Sequence, residues 1–392
     1  MSKIDDILDK YNNEDIKTVC FKDACTYTRG ITYKKNDEIK TDSHRGIKVL
    51  RANNINLSNT LKLTNIKMVS EDVKVRLNQQ LRENDILICA GSGSKKHIGK
   101  TAFITKNSDN FTFGGFMGVI RVSVDFISPK YVFYLLNSAY FRNHLDFSLD
   151  TSTINNLNNS VMNSFCFPVP PIELQEEIVR ILDNFTELEA KLKAELEARK
   201  KQYNYYRHEL LKADKSVRWI NLGSVCDVLT GGEPPKNTIK GSKSDDEHPY
   251  PVWGNGKEVY GFSSSYRVDI DAVVISSIGA KTGTVYFRTA HFTPIIRLKV
   301  VIPKTKELNM RYLFHALSDL NIVSKSSTVP NMNSSDIKKI VIPYPEISKQ
   351  EEIADLLDKF DSYISSINSG LPAEIESRRK QYEYYRTSLL TF

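Results

Sequence analysis

Two stretches of this chain carry a regular recurrence of apolar positions. From Ile178 they fall at Ile181, Phe185, Leu188, Leu192, Leu196, Tyr203, Tyr206 and Leu210. The steps are threes and fours, apart from one turn where Arg199 takes the seam, and they predict a long coiled-coil-like helix. A second stripe runs Ile353, Leu356, Phe360, Tyr363, Ile367, Ile375, Tyr382, Tyr385 and Leu389. About 34 residues at 1.5 Å each give a rod of roughly 50 Å. A single amphipathic helix is marginal in water, so each stripe needs an apolar partner. The simplest partner is the other stripe, packed antiparallel around a pseudo-twofold axis. The alternative is that each packs only on its own globular domain. Pro168, Pro170 and Pro171 punctuate the chain before the first stripe, and Pro343 and Pro345 before the second. Ser369-Gly-Leu-Pro372 predicts a kink or short break in the second helix, since proline donates no intrahelical bond.

The remaining sequence patterns as mixed α/β. Apolar runs at Asp85 to Cys89, Val119 to Val124, Ala272 to Ile278 and Ile295 to Val301 predict strands, separated by Gly-, Asn- and Pro-bearing turns. Tyr131 to Leu145 and Met310 to Leu320 predict short helices. The expected layout is an arm at 1–15, a first globular domain at 16–170, a spacer helix at 171–213, a second domain at 214–345 and a second spacer helix at 346–392. The fold class is therefore α+β: two mixed α/β domains joined by two long antiparallel helices.

The layout is an internal repeat. Pro168-Val-Pro-Pro-Ile-Glu-Leu-Gln-Glu-Glu-Ile178 returns as Pro343-Tyr-Pro-Glu-Ile-Ser-Lys-Gln-Glu-Glu-Ile353, so that Gln350 repeats Gln175. Ser152-Thr-Ile-Asn-Asn-Leu-Asn158 returns as Ser327-Thr-Val-Pro-Asn-Met-Asn333, and Leu182-Asp-Asn-Phe185 as Leu357-Asp-Lys-Phe360. Arg199-Lys-Lys-Gln-Tyr-Asn-Tyr-Tyr-Arg207 returns as Arg378-Arg-Lys-Gln-Tyr-Glu-Tyr-Tyr-Arg386, with four extra residues in the second copy. Four residues are about one turn, which keeps the stripe in phase. The domain bodies match only loosely, as a fixed frame carrying two different readers would.

Composition narrows the function. A chain of 392 residues suffices for two or three domains, and its formal charge of +7 permits nucleic-acid binding without demanding it. No apolar run reaches the roughly 20 residues of a membrane span. The acidic Met1-Ser-Lys-Ile-Asp-Asp-Ile start does not resemble a signal peptide. The five cysteines, Cys20, Cys25, Cys89, Cys166 and Cys226, are odd in number and form no CxxC. They argue against zinc sites and disulfide frameworks and for buried apolar roles in a reducing cytoplasm.

Catalytic motifs are missing from the sequence. Glu233-Pro-Pro-Lys236 lacks the Asn or Asp and the aromatic that would hold a flipped base, and reads as a turn. Ser94-Lys-Lys-His-Ile-Gly-Lys-Thr101 has Ser94 where a phosphate loop needs glycine, and reads as a flexible basic loop or surface turn. The seven histidines form no HExxH, and no Gly-x-Ser-x-Gly occurs. Neither a catalytic residue nor a metal ligand is expected.

The repeated Pro-rich step into Gln-Glu-Glu-Ile, ending in Arg-Lys-Lys-Gln-Tyr-x-Tyr-Tyr-Arg-x-x-Leu-Leu, resembles the specificity subunits of type I restriction-modification enzymes. Leu229-Thr-Gly-Gly-Glu-Pro-Pro-Lys236 is similar to the Gly-Gly-Thr-Pro opening of their recognition domains, with Glu233 in place of Thr. The first domain departs from this, with Thr28-Arg-Gly-Ile-Thr32 at the corresponding place. The resemblance implies two target-recognition domains, each reading half of a split site in double-stranded DNA. It implies two adenine methyltransferase subunits docked on the helices, and restriction/translocase subunits joining them. No cofactor is implied for this chain; S-adenosylmethionine, ATP and Mg would belong to the partner subunits. The arm Ser2 to Asp15 would complete the second repeat near the C-terminus. A coiled-coil scaffold that reads no DNA and a nucleotide-using enzyme are the rival classes.

For such a protein, Lys and Arg supply phosphate contacts, while Asn, Gln and Arg suit base edges. The candidate DNA contacts in the first domain are Arg45, Arg51, Asn53, Asn54, Ser92, Lys95, Lys96, Lys100, Asn155 and Asn156. In the second they are Lys236, Lys240, Lys243, Asn255, Lys257, Lys281, Thr282, Asn331 and Asn333. Gln175, Ile178, Phe185, Tyr203, Tyr206, Gln350, Ile353, Phe360, Tyr382 and Tyr385 are candidates for the helix frame or for methyltransferase docking.

Overall fold

The computed structural model describes residues 16–39, 46–56, 58–93, 97–106, 110–150, 156–212, 217–279, 281–320 and 331–390, without the side chains of 150 and 362–372. The expected arm at 1–15 lies outside them. The chain divides into two compact units, Met1–Lys191 with Glu374–Phe392, and Leu192–Ala373.

Among the described residues, the first unit holds two four-stranded sheets and a two-stranded ribbon. One sheet orders its strands Cys25–Arg29, Met117–Val122, Ile86–Cys89, Thr101–Phe103, all antiparallel. The other runs Glu38–Ile39, Lys67–Val69, Ile47–Leu50, Phe111–Phe113, with its last pair parallel. Ile86–Cys89 is buried along its whole length, so this strand is uniformly apolar rather than alternating. The ribbon pairs Lys17–Cys20 with Cys166–Val169 and closes the base of the body.

The second unit repeats this strand for strand. Its first sheet is Cys226–Thr230, Lys299–Pro303, Ala272–Ile275, Val285–Arg288. Its second is Ile239–Lys240, Gly261–Ser263, Tyr250–Trp253, Thr293–Pro294, again ending in a parallel pair. Its ribbon is Arg218–Asn221 with Val341–Tyr344.

The cysteine expectation needs correction. Cys20 and Cys166 stand opposite each other in the first ribbon and form a disulfide, with Sγ–Sγ 2.04 Å. The two are 146 residues apart in sequence, so spacing gave no hint of the pairing. Cys25, Cys89 and Cys226 are free and buried. Burial pushes the Cys25 and Cys226 thiols up to about 12.

The long helices span Ile172–Leu211, 40 residues, and Ile347–Leu390, 44 residues. The four-residue excess in the second is the one legible in the repeat. The expected break at Ser369-Gly-Leu-Pro372 does not occur; the helix runs through Pro372. Proline removes one backbone bond from a ladder whose neighbouring turns are intact. The helix expected over Tyr131 to Leu145 is in fact two, Pro129–Leu136 and Ala139–Asp150. Asn137 ends the first by turning its amide onto the Phe133 carbonyl (2.7 Å). Among the described residues, no helix is long and apolar enough to cross a membrane.

Within each unit the two stripes meet each other as well as the sheet core. In the first, Ile178 and Leu182 share a core with Leu389 and Leu390, and Phe185 stacks on Tyr385 at 5.8 Å between centroids. In the second, Leu211 shares a core with Ile353 and Leu357, and Tyr206 stacks on Phe360 at 5.6 Å. The start of one helix thus pairs with the end of the other, as antiparallel segments do. Pairs such as Lys191–Glu187 and Lys380–Glu376 are solvent-exposed and screened, so packing decides where these helices sit.

A glutamine fastens each helix to its domain. Gln175 is fully buried; its Oε1 accepts from the Ser128 amide (2.9 Å), and its Nε2 donates to Phe126 O (2.9 Å) and Pro170 O (2.8 Å). Gln350 repeats the arrangement with the Asn309 amide (2.9 Å), Glu307 O (3.0 Å) and Pro345 O (2.8 Å). Tyr131 and Tyr312 each donate to a carbonyl of the proline step, Pro168 and Pro343, at 3.0 Å. Asp183 receives Lys130 and Tyr134, whereas Asp358 receives Arg311 and His315.

Candidate nucleic-acid interface

Both units gather three segments at one end of the first sheet: the loop after its central buried strand, the Asn-rich segment before the last short helix, and the turn leading into the returning strand. In the first unit the Leu157 amide donates to Ala90 O (2.7 Å), and the amides of Ala90 and Gly91 donate to Phe116 O (2.9 and 3.1 Å). In the second the Met332 amide donates to Ser277 O (2.8 Å), and the Ser277 hydroxyl donates to Arg297 O (2.6 Å). Gly91 bridges Asn156 in one unit, and Ile278 bridges Asn331 in the other.

A cation secures each assembly, from opposite strands of the same ladder. Arg29, paired with Gly118, donates through Nη1 to Leu157 O (2.7 Å) and through Nε to Gly115 O (2.8 Å). At the corresponding rung Thr230 pairs with Lys299, and now the returning strand brings the charge. Lys299 is 6% exposed, and its ammonium donates to Thr230 Oγ1 (2.9 Å) and Ser334 Oγ (3.2 Å). Burial, with Arg297 nearby, pulls its pKa below the usual lysine value. Among the described residues, no carboxylate pairs with Arg29, Arg297 or Lys299.

Glycine is required where the turn crosses behind the first strand. A Cβ on Gly231 would lie 2.8 Å from the Ile295 nitrogen, and one on Gly30 would lie 2.2 Å from Gly114 O. Gly30 therefore occupies the place of Gly231, and the buried Ile31 that of Gly232. Thr28 to Thr32 does take the position of the Gly-Gly element, and lines a groove with Lys74, Arg76, Asn78 and Gln79.

The sequence candidates divide into four groups. Arg45, Lys95, Lys96 and Asn155 lie outside the described residues. Asn53, Lys236, Lys240, Lys243, Lys257, Lys281, Asn331 and Asn333 are exposed, with the Lys240 ammonium 5.7 Å from the Tyr260 ring centre. Asn156 and Ser92 sit half-buried at the joined loops, and Thr282 donates to Gly279 O (2.7 Å).

Other candidates are tied, wholly or in part, to the protein's own backbone. Asn54 is buried; it accepts from the Arg51 amide (2.9 Å) and donates to Lys62 O (3.0 Å) and Thr64 O (3.1 Å). Its amide has nothing left for a base edge. Asn255 accepts from the Ser277 amide (2.7 Å) and donates to Ile296 O, and so braces the turn. Lys100 donates to Ile55 O (2.9 Å), and Arg51 to Asn65 O (3.2 Å). Asn, Lys and Arg in loops are as suited to tying the loop as to reading a ligand.

The frame candidates also face inward. Gln175, Ile178, Gln350 and Ile353 are buried, and Phe185, Phe360, Tyr382 and Tyr385 are taken up by helix-to-helix stacking. Tyr203 lies under the Arg207 guanidinium at 5.3 Å, and Tyr206 keeps 40% exposure. Sequence reasoning missed Arg29, Phe116, Arg297 and Lys299. Only the alignment of rungs Arg29–Gly118 and Thr230–Lys299 reveals them, and strand register is not written in residue type.

The profile described as "Type I restriction modification DNA specificity domain" matches residues 13–198 and 215–377. A Mycoplasma pneumoniae protein assigned as a type I specificity subunit is 32% identical over 70% of this chain and 85% of its own. The EcoR124I/EcoR124II specificity subunit of Escherichia coli is 34% identical over 67% of this chain and 70% of its own. Among solved structures, a chain from a type I R-M system has the same fold, with a TM-score of 0.64 at 16% identity over 96% of this chain and 98% of that one. The type I S subunit from M. genitalium gives 0.57 at 16% identity over 97% of each.

Proposed function

The chain belongs to the type I restriction-modification DNA specificity family, and from that membership we propose that it reads the two halves of a split double-stranded DNA site. One observation carries the reading. Two bodies of identical strand order hold corresponding loop clusters whose exposed residues differ. Exposed lysines in the second unit suit phosphate contact, which supplies affinity without sequence information. Loop side chains held by buried clamps suit base edges.

In this reading the chain is not itself an enzyme and carries no cofactor of its own. Two adenine methyltransferase subunits dock on the repeated frame, one per copy, and restriction/translocase subunits join through them. S-adenosylmethionine, ATP and Mg belong to those partners. The long helices set the distance between half-sites, since a rod of roughly 60 Å compares with a DNA turn of roughly 34 Å.

Methylome sequencing of a strain expressing this chain with its methyltransferase tests the proposal. One two-part motif with a fixed unread spacer is expected. Its absence, with salt-insensitive DNA binding by the purified complex, would leave a scaffold without a reading role.

A further inference from the structure

The turn into the returning strand occupies the same rung in both units. It starts three residues before Gly118 in one and three before Lys299 in the other, and places Phe116 where the second unit has Arg297. Each residue's carbonyl is taken by the neighbouring loop, from Ala90 and Gly91 or from Ser277. Each side chain is left outside: Phe116 is 72% exposed, and Arg297 is also exposed.

The backbone beneath is over-determined. Ile296 and Arg297 both have left-handed backbone, at φ 52° and 59°, although neither is glycine. Their amides donate to Gly232 O (2.9 Å) and Gly231 O (3.1 Å), while Asn255 and Ser277 bind their carbonyls. In the first unit the Arg29 guanidinium holds Gly115, next to Phe116. An exposed phenylalanine fixed by its own backbone contributes nothing to a core, and an exposed arginine without a carboxylate partner among the described residues contributes nothing to an ion pair there. The two have opposite chemistry at one position of a duplicated scaffold.

We propose that this turn position is a specificity determinant in each reader, with Arg297 reading guanine in one half-site and Phe116 reading a thymine methyl in the other. The inference rests on the DNA-reading function proposed above. Guanidinium donors match guanine O6 and N7 in the major groove, and a phenylalanine ring, which has no hydrogen-bonding group, finds its apolar partner there in the thymine methyl.

The test uses the full chain in complex with its methyltransferase, scored by methylome sequencing and by binding to oligonucleotides carrying single-base changes. Arg297→Gln is expected to lower discrimination at one guanine of one half-site by about five- to 150-fold, the worth of one bidentate contact. Arg297→Lys should retain the guanine preference. Phe116→Arg should alter the other half-site alone, and Phe116→Leu should keep its thymine. The unaltered half-site of each variant reports that the complex is intact. Unchanged half-sites in both Arg297→Gln and Phe116→Arg, or changes in both halves of either, would overturn the assignment. A wild-type complex with no defined two-part site overturns the underlying reading instead, before any variant is scored.

Discussion

Single residues in the two copies show what the scaffold keeps and what it lets vary. Gln175 and Gln350 make the same three bonds in both. Removing either amide leaves one backbone donor and two acceptors without their side-chain partner, in part-buried surroundings, at about 1–3 kcal/mol for each group that water cannot reach. Gln175→Ala should lower the melting temperature of the first unit's transition, and Gln350→Ala that of the second, by at least about 4 °C. The partners of Asp183 and Asp358 are less alike. His315 replaces Tyr134, and its Nε2 faces Asp358 Oδ1 at 2.7 Å while its buried Nδ1 has no partner. Protonation would bury an unsatisfied N–H, and desolvation lowers its pKa below 6.5 despite Asp358. A histidine with a depressed folded value binds fewer protons when folded, so its unfolded state gains as pH falls through 6.5. Burial pushes the Asp358 carboxyl up, but the hydrogen bonds and charge of Arg311 and His315 outweigh it and hold the carboxyl below the usual aspartate value, which adds a second loss at lower pH. Unfolding curves at pH 7.5 and about pH 5.5 should therefore show the second unit losing stability. His315→Gln should remove the upper part of that dependence; an unchanged pH profile in this variant would remove His315 from the account.

At the scale of elements, the helices were the most legible feature and the readers the least. The second helix runs through Pro372, where proline costs a single backbone bond. The strands that build the readers are two to six residues long, and their register depends on partners far away in sequence. Polar loop residues gave a composition signal that structure divides between contacts and braces, as with Lys281 against Asn255. Phe116 and Arg297 gave no signal, because a phenylalanine in a strand-rich segment reads as core and a lone arginine reads as surface. Four residues inserted after Leu192 would lengthen the first helix by about 6 Å, roughly two base pairs of duplex. Methylome sequencing should then return the same half-sites with a longer gap; altered half-sites over the old gap would refute a ruler.

For the whole molecule, the fold class, the repeat and the family were all readable from sequence, since each rests on the well-kept helical segments. What differs between the copies was not, since it lies in backbone geometry. If each body reads by itself, replacing residues 16–165 with the corresponding segment of a relative should change one half-site and leave the other, as scored by methylation of a mixed-site library. Changes on both sides would mean that the bodies read jointly. The ribbons bear on how such exchanges could arise in nature. Lys17–Cys20 lies against Cys166–Val169, and Arg218–Asn221 against Val341–Tyr344, so each body leaves the frame beside the place where it joined it. A gene segment cut at those two points encodes a self-closing cassette. Recombination there can hand the cell a new address while the surrounding machinery is inherited untouched.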